Sequence, residues 1–233
     1  MFERRSNKKE LLDKSDIDKR LLYQNLKELE TVNKYLGGHA VSLKGLGMIL
    51  NGNAKTHSVV DIGCGGGDSL KTIANWLKRK GNSIHLTGID LKQDCIDYAR
   101  NNCNGCADIS FQCNDFRTVF SEQNKPDIIH ASLFFHHFTE DEIISFLDSC
   151  NKQGIIAVIN DLERHPIAYY SIKILTNFFS KSPLVKNDAP LSVLRGFKKK
   201  EWVEMLQKAG VKRYSVQNCW AFRHLTIAYP NGN

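Results

Sequence analysis

The sequence contains no long apolar segment. No run approaches the roughly 18 consecutive apolar residues of a transmembrane helix, and the N-terminal region lacks the apolar stretch of a signal peptide. We therefore expect a cytoplasmic protein without a membrane span. The 233 residues, of which 24% are charged and 42% hydrophobic, suffice for one α/β domain with a substantial core.

The seven cysteines lack the even number and regular spacing of a disulfide framework. This usage fits a reducing compartment. Cys103 and Cys106 form a C-x-x-C pair with Cys95 and Cys113 nearby, but no second paired motif completes a zinc site. Asn104-Gly105 between the paired cysteines is a turn signal. We accordingly expect no metal.

The net charge of +7 raises the question of a nucleic-acid partner. The lysines are nevertheless spread along the chain. The cluster Lys78–Lys80 ends a predicted helix, where cations offset the helix dipole, and Lys198–Lys200 opens another. This distribution favours scattered surface lysines over a nucleic-acid surface, and the charge can help to steer an acidic or phenolate substrate.

The segment from Val59 to Asp68 is a strand pattern that runs into a glycine-rich loop. Such a loop usually holds a nucleotide phosphate at the N-terminus of a helix. Here the third glycine of a G-x-G-x-x-G motif is missing, because Asp68 stands in its place, and Asp61 lies on the other side of the loop. Two carboxylates would repel a pyrophosphate. They suit a nucleoside that lacks phosphate and carries positive charge, which describes S-adenosylmethionine.

A second acidic position supports this interpretation. Asp90 ends the next strand pattern, about 20 residues beyond the glycines, where a Rossmann-type unit places the acid that holds the ribose hydroxyls. The glycine loop alone would also fit an ordinary doubly wound domain with incidental loop acids. Asp61 and Asp90 at this spacing favour the cofactor site.

These motifs resemble a known family. Asp61-x-Gly63-x-Gly65-x-Gly67, then Asp90, then Asn114-Asp115-Phe116 are similar to the class I S-adenosylmethionine-dependent methyltransferases. The resemblance covers roughly residues 57 to 160 well and the C-terminal region more loosely. It is greatest to the small-molecule branch with ubiquinone- and menaquinone-biosynthesis enzymes and polyketide O-methyltransferases.

The resemblance implies a set of cofactor contacts. Gly63 and Gly65 would approach the methionine moiety, and Asp90 would hold the ribose. Asp115 with Phe116 would frame the adenine. The full set of implied cofactor-binding residues is Asp61, Gly63, Cys64, Gly65, Gly67, Asp90, Leu91, Asn114, Asp115, Phe116, Ala131, Ser132 and Leu133, of which the last three would line the floor under the sulfonium.

Strand and helix patterns alternate from residue 57 to residue 159, which predicts a doubly wound parallel sheet. The predicted strands are Ser58–Ile62, Ile84–Ile89, Asp108–Cys113, Asp127–Ala131 and Ile155–Ile159. The predicted helices are Ser69–Lys80, Gln93–Asn102, Glu140–Cys150 and Lys199–Ala209. The runs Lys212–Gln217 and Phe222–Ala228 fit a hairpin at the sheet edge. We expect an α/β fold with a Rossmann-like, mostly parallel, seven-stranded sheet.

Two segments exceed this minimal fold. Residues 1–50 carry apolar residues at helical spacing up to Gly37-Gly38, which predicts an N-terminal helical cap on a methyltransferase domain of residues 51–233. Residues 161–197 form an insertion after the fifth strand, and its segment Ile167–Phe179 is apolar over most of a helix circumference. Such a helix must be covered by protein, ligand or membrane. We expect both segments to form a lid with an apolar, aromatic acceptor pocket.

Three histidines are candidates for the chemistry. Methyl transfer requires an aligned acceptor and, for some acceptors, the removal of one proton, for which histidine is suited near neutral pH. His136 and His137 follow the fourth strand, where they can also be structural. His165 follows the fifth strand, where it can also cap the next helix. The candidate substrate-binding residues are Arg164, Tyr169 and Arg195, and either arginine can instead form a structural ion pair.

The preferred hypothesis is a methyltransferase that acts on oxygen, or less readily on carbon, of a small aromatic or polyketide-like acceptor. A nucleic-acid methyltransferase is disfavoured. Enzymes that methylate exocyclic base nitrogens have an Asn/Asp-Pro-Pro-aromatic motif after the fourth strand, whereas this chain has Ser132-Leu133-Phe134-Phe135 there, without a proline. Protein methylation and a non-catalytic cofactor-binding scaffold stay open. So do a monomer or a homodimer, and a peripheral membrane contact of the apolar insertion.

Overall fold

The computed structural model describes residues 1–14, 16–50, 58–81, 84–106, 108–121 and 125–232. Its centre is a seven-stranded sheet with the order β3-β2-β1-β4-β5-β7-β6. The strands are β1 (Ser58–Ile62), β2 (His85–Asp90), β3 (Ile109–Cys113), β4 (Ile128–Ser132), β5 (Ile156–Leu162), β6 (Arg213–Cys219) and β7 (Arg223–Tyr229).

The sheet confirms the predicted fold class. Strands β1 to β5 pair in parallel, whereas β7 lies antiparallel to β5 and pairs with β6 as an edge hairpin. All seven predicted strands are present, and their ends differ from the predicted ones by at most three residues. Residue 57, where the predicted alternation begins, lies outside the described residues.

Eight α-helices surround the sheet in the described part of the chain. They are α1 (Lys19–Tyr35), α2 (Gly38–Leu50), α3 (Asp68–Lys80), α4 (Gln93–Asn102), α5 (Glu140–Gln153), α6 (Pro166–Phe179), α7 (Pro183–Arg195) and α8 (Lys199–Lys208). Local signals explain several ends. The Thr139 side chain and Glu142 form a capping box at the start of α5, and the last turn of α3 carries Lys78–Lys80, which offset the helix dipole.

The sheet is covered on both faces. One hydrophobic cluster joins α5 and α8 to the sheet through Phe146, Trp202 and Leu206. The other joins α2 and α3 to the opposite face through Leu46 and Ile73. Both faces of the parallel strands are therefore buried, which explains their nearly continuous apolar sequences.

The N-terminal region divides at Gly37, as predicted, but its second helix is part of the sheet layer. Helix α2 packs so closely on β5 and β7 that a Cβ atom on Gly45 would lie 2.7 Å from Val158 Cγ1 and 2.8 Å from Leu225 Cδ1. Helix α1 instead lies against α2, α4 and α7. Of the segment expected to be a cap, only the part before Gly38 lies beyond the sheet layer.

The insertion after β5 forms α6 and α7, which pack against each other at the carboxyl end of the sheet. The first residues of the chain bind to α7, because the Asp188 carboxylate accepts hydrogen bonds from the backbone N–H groups of Leu11 (2.8 Å) and Leu12 (2.9 Å). The insertion and the N-terminal segment therefore meet as expected. Among the described residues, no helix has both the length and the apolar character that crossing a membrane requires.

Two glycines of α2 provide a matched test of this packing. Gly45→Ala should lower the free energy of unfolding by about 1–3 kcal/mol, because the added methyl group overpacks the contact with Val158 and Leu225. Gly47→Ala should raise it by about 0.5–1 kcal/mol, since the nearest atom to its new Cβ lies 3.7 Å away and alanine favours the helix. Urea unfolding measures both. Equal effects would show that α2 does not rest on the sheet at Gly45.

Candidate functional site

The glycine loop between β1 and α3 has an unusual backbone. Gly63, Gly65 and Gly67 all have left-handed φ angles of +65°, +50° and +73°, a region that residues with a side chain rarely adopt. At Gly63 a side chain is also excluded by space, because its Cβ would lie 2.1 Å from the Phe134 ring. The spacing of the glycines is thus a requirement of the turn itself.

Asp90 connects this loop to the end of β2. Its Oδ2 accepts a hydrogen bond from the N–H of Gly65 (3.0 Å), and its Oδ1 accepts one from the N–H of Lys92 (2.9 Å). Burial raises the pKa of the Asp90 carboxyl, although the two amides oppose that shift. Each carboxylate oxygen retains a further lone pair, and Asp90 lines the adjoining cavity.

A cavity of about 760 Å³ lies at the carboxyl ends of β1, β2 and β4, and we call it the cofactor cavity. Most residues implied as cofactor contacts line it. They are Asp61, Gly63, Cys64, Gly65, Asp90, Leu91, Asn114, Phe116, Ser132 and Leu133. The volume suits a nucleoside with an amino-acid side arm, within the range of small-molecule sites.

Three implied contacts are not among the described residues that line this cavity. Gly67 forms the N-terminal cap of α3. Ala131 is buried in the core. Asp115 caps the short 3-10 helix Phe116–Phe120 and pairs with Arg117 at 2.9 Å. The structure thus gives these three residues local packing and capping contacts.

The two carboxylates that bracket the loop are both paired with histidines. Asp61 Oδ1 accepts from His130 Nδ1 at 2.7 Å, and His130 Nε2 lies 2.8 Å from the Ser42 hydroxyl. Asp68 Oδ2 lies 2.7 Å from His39 Nε2. Burial alone would raise the pKa of Asp68, but the hydrogen bond from His39 contributes to holding it below the usual value.

These pairs belong to a larger polar network beneath the cavities. Asn160 Nδ2 donates to Ser42 Oγ (3.1 Å), and Arg223 donates to Asn160 Oδ1 (3.3 Å) and Asn33 Oδ1 (3.0 Å). Asn33 Nδ2 in turn donates to Asp68. Burial lowers the pKa of Arg223 to about 10, against the attraction of Asp161 and Asp68. The network links α1 and α2 to β1, β4, β5 and β7.

A second cavity of about 290 Å³ adjoins the first, and we call it the acceptor cavity. Leu12, Leu29, Leu133 and His137 line both cavities, so the two spaces share a wall. Leu133, which belongs to that wall, has a left-handed φ of +53°, a strained conformation for a leucine. Helices α1, α6 and α7 supply most of the apolar lining, including Val32, Ile172 and Val193.

A cluster of imidazoles and carboxylates lies at one end of the acceptor cavity. His136 is buried and donates from Nδ1 to Asp161 Oδ1 at 2.8 Å. His137 Nδ1 lies 2.8 Å from Asp13 Oδ1. Each imidazole thereby has its Nδ1 beside a carboxylate. Burial opposes ionisation of Asp161 and of Asp13, but the neighbouring histidines hold the pKa of each carboxyl below its usual value.

Glu10 faces both of these histidines. Its Oε1 lies 3.6 Å from His136 Nε2, and its Oε2 lies 4.0 Å from His137 Nε2. Its side chain is almost fully buried and accepts a hydrogen bond from the Ser192 hydroxyl at 2.9 Å. Burial raises the pKa of Glu10 to about 7, although His137, Ser192 and Arg195 oppose the shift.

The remaining candidates have structural contacts. His165 Nδ1 caps α6 by accepting from the N–H of Ile167 (3.2 Å), and its ring stacks on Phe222. Arg164 is buried and pairs with Glu201 at 2.6 Å. These contacts match the alternatives of a cap for His165 and an ion pair for Arg164.

Arg195 and Tyr169 also hold the insertion in place. Arg195 donates to the carbonyl of His136 (2.9 Å) and to Asp13 Oδ2 (3.0 Å). Tyr169 packs edge-on against Phe2. Among the described residues that line the two cavities, neither is present, so Arg195 acts on the cluster by fixing the loop of His136.

Several site residues had no signal in the sequence. Glu10 and Asp13 lie in a polar N-terminal segment that reaches the site only through its contacts with α7. His130 faces Asp61 because β1 and β4 pair in that register. His39 follows the predicted end of the first helix. An acid or histidine near a chain terminus carries no periodicity, so only the tertiary structure could place these residues.

The residues present fit S-adenosylmethionine. The carboxylates that line the cofactor cavity include Asp61, Asp68 and Asp90, which favour a cationic ligand and disfavour a pyrophosphate. Asp90 has free lone pairs for the ribose hydroxyls. Asn114 and Phe116 line the same cavity and can hold the adenine.

Comparisons with known proteins agree with this assignment. Residues 59–153 match the family model described as a methyltransferase domain. The plantazolicin methyltransferase BamL, solved with a triazolic desmethylPZN analog and SAH, is 16% identical over 91% of this chain and 96% of that chain, with a TM-score of 0.62. The CurJ carbon methyltransferase is 14% identical over 93% and 62%, with a TM-score of 0.64.

A third solved structure, the CMeT domain of the citrinin polyketide synthase, is 14% identical with a TM-score of 0.54; the match covers 75% of this chain and 46% of that chain. This chain thus spans about half the length of that one. At such identities the solved structures show a shared fold. The comparison with curated proteins finds no matching sequence.

The family match includes the glycine loop and strands β2 to β4, whose carboxyl ends border the cofactor cavity. This agreement extends to the ligand, because the acidic cavity favours the cationic cofactor that this family uses. Residues 59–153 thus match a methyltransferase domain, and the chain shares its fold with solved methyltransferases.

Proposed function

We propose that the protein transfers a methyl group from S-adenosylmethionine to a small, largely apolar aromatic or polyketide-like acceptor, on a hydroxyl oxygen. The observation that carries the proposal is the acceptor cavity of about 290 Å³, which shares Leu133 and His137 with the cofactor cavity. Its size suits one or two fused rings. Its lining is apolar except for the cluster of Glu10, His136 and His137 and a few further polar groups.

The shared wall provides alignment. Bound S-adenosylmethionine would supply a methyl carbon activated by its sulfonium, so that the acceptor oxygen gains the methyl group while the S–C bond breaks and S-adenosylhomocysteine leaves. Holding the two reactants in line can lower the activation free energy by about 7–11 kcal/mol. The apolar sides contributed by α1, α6 and α7 exclude water and orient a flat acceptor with its hydroxyl toward His137.

The cluster provides a proton acceptor. We infer that His137 accepts the hydroxyl proton at Nε2, because Nδ1 is held 2.8 Å from Asp13 and an imidazolium would be stabilised by that carboxylate. His136 is almost fully buried and bonded to Asp161, so its role is to support the position of Glu10 and of the loop.

The experiment that tests the proposal is a methyl-transfer screen followed by mass spectrometry. Phenols, quinols and hydroxylated pyrones should gain one methyl group, whereas single-stranded oligonucleotides and peptides should not. Methylation of a macromolecule alone would contradict the proposal, and cofactor binding without any turnover would favour a scaffold. The screen should give the same products with and without a chelator, although ligand atoms of Glu10, His136 and His137 all lie within 4.8 Å of one another and could hold a metal ion.

Asp90 provides a test of the cofactor site. Asp90→Asn should weaken S-adenosylmethionine binding about 10- to 100-fold, because the lost charge-assisted hydrogen bonds to the ribose contribute roughly 1.5–3 kcal/mol each. Titration calorimetry measures the change. Asp148→Asn on α5 is the control, since Asp148 pairs with Lys152 and neither residue lines the cavity. Equal affinities of the two variants would refute the ribose assignment.

His137 and His165 form a matched pair for the chemistry. His137→Gln should reduce turnover about 10²- to 10⁴-fold with little change in cofactor affinity. His165→Ala should keep turnover and instead lose about 0.5–2 kcal/mol of stability, because it removes a helix cap. Steady-state kinetics and urea unfolding separate the two effects. Loss of turnover only in the His165 variant would reverse the assignment.

Glu10 should make stability depend on pH. Its folded-state pKa of about 7 exceeds its ordinary value of 4.5, so the folded protein binds this proton more tightly than the unfolded chain. Stability from this group is therefore complete below pH 4.5 and falls by about 3 kcal/mol as the pH rises to about 7. Glu10→Gln should remove that decline in urea unfolding, whereas exposed Glu204→Gln should retain it. Parallel pH curves for both variants would contradict the assignment.

A further inference from the structure

Helix α6 presents an apolar stripe to solvent. Ile167, Tyr170, Ile174 and Phe178 recur at helical spacing, and each is exposed. Phe178 and Phe179 are 80% and 82% exposed. A helix as apolar as this one was expected to be covered on most sides, yet the described residues of the chain bury only Ala168 and Thr176 within it. This face is therefore available to a partner.

The opposite face of the same helix belongs to the acceptor cavity. Ala168, Ser171, Ile172 and Leu175 line that cavity, and so does Trp220 from the turn between β6 and β7. Trp220 is 76% exposed. Helix α6 thus has one side toward the acceptor cavity and the other side in solvent, and the exposed Trp220 lies beside the cavity. Tryptophan at such a boundary is typical of the interface between membrane and water.

The exposed charges within α6 and α7 have one sign. In the described segment from α6 to α7, the exposed charged side chains are Lys173, Lys181 and Lys186. The one acid of the segment, Asp188, is buried and bound to the N-terminal backbone. The nearby Glu28 accepts hydrogen bonds from Ser180 and the N–H of Lys181. The surface is thus apolar with a basic margin, as in helices that lie on anionic membranes.

We infer that the exposed face of α6 docks on an anionic lipid bilayer, and that the acceptor cavity takes the aromatic head of an amphiphilic acceptor from that bilayer. The second part rests on the proposed function, whereas the docking does not. The exposed phenylalanines would enter the acyl boundary, and the lysines would contact anionic head groups. An acceptor with an alkyl chain would then reach His137 without leaving the apolar phase.

Sedimentation with vesicles tests the docking. The protein should bind vesicles of phosphatidylcholine with phosphatidylglycerol and leave vesicles of phosphatidylcholine alone in the supernatant. The double variant Phe178→Ser/Phe179→Ser should bind at least about tenfold more weakly, because it removes two inserted side chains. Lys173→Gln/Lys181→Gln should bind about tenfold more weakly to the anionic vesicles. Met48→Ser, on the exposed side of α2, is the control and should bind as the wild type does.

Two results would overturn the docking. One is equal binding of the wild type and the Phe178/Phe179 variant. The other is a dimer of the wild type in sedimentation velocity that is lost in this variant, which would make α6 an interface between two copies of the chain.

A second experiment tests the acceptor. The Phe178/Phe179 variant should methylate a water-soluble phenol normally and a long-chain alkylphenol in vesicles at least about tenfold more slowly. Absence of turnover with every phenol would refute the proposed function and leave the docking result intact.

Discussion

The arrangement of this structure depends on carboxylates that are buried at the carboxyl ends of parallel strands. Three of them lie at or next to the ends of β1, β2 and β5, in that order Asp61, Asp90 and Asp161. They are largely removed from water, so burial opposes their charged form and each needs hydrogen-bond partners. The partners come from other elements: His130 for Asp61, loop amides for Asp90 and His136 for Asp161. Satisfying these charges fixes the position of the glycine loop, of α2 and of the segment after β4.

The same requirement explains why two segments outside the basic fold are held firmly to it. Helices α1 and α2 supply Asn33, His39 and Ser42 to the network around Asp61 and Asp68. The N-terminal segment is bound by Asp188 and Arg195 of α7. Each of these contacts uses a buried polar group that would cost free energy if it were unpaired. The acceptor cavity is therefore built by polar anchoring as well as by apolar packing.

The chemistry and the stability of the site draw on the same groups. Glu10 is held in an environment that favours its protonated form near neutral pH, beside two imidazoles. Such an arrangement costs stability when the carboxyl ionises, and it places proton-exchanging groups beside the acceptor cavity. Leu133 likewise affects both stability and the site, because its left-handed backbone is strained and the residue is part of the wall that the two cavities share.

The sequence by itself determined the sheet and the glycine loop that Asp90 joins. Strand and helix periods are local, the left-handed turns at Gly63, Gly65 and Gly67 demand glycine, and Asp90 must follow the loop at the spacing of one βαβ unit. Only the tertiary structure decided the acceptor half. Glu10 and Asp13 reach His136 and His137 across more than half of the chain. Contacts between residues so distant in sequence leave no periodic pattern, since strand pairing and buried-charge partners select them only when the chain has folded.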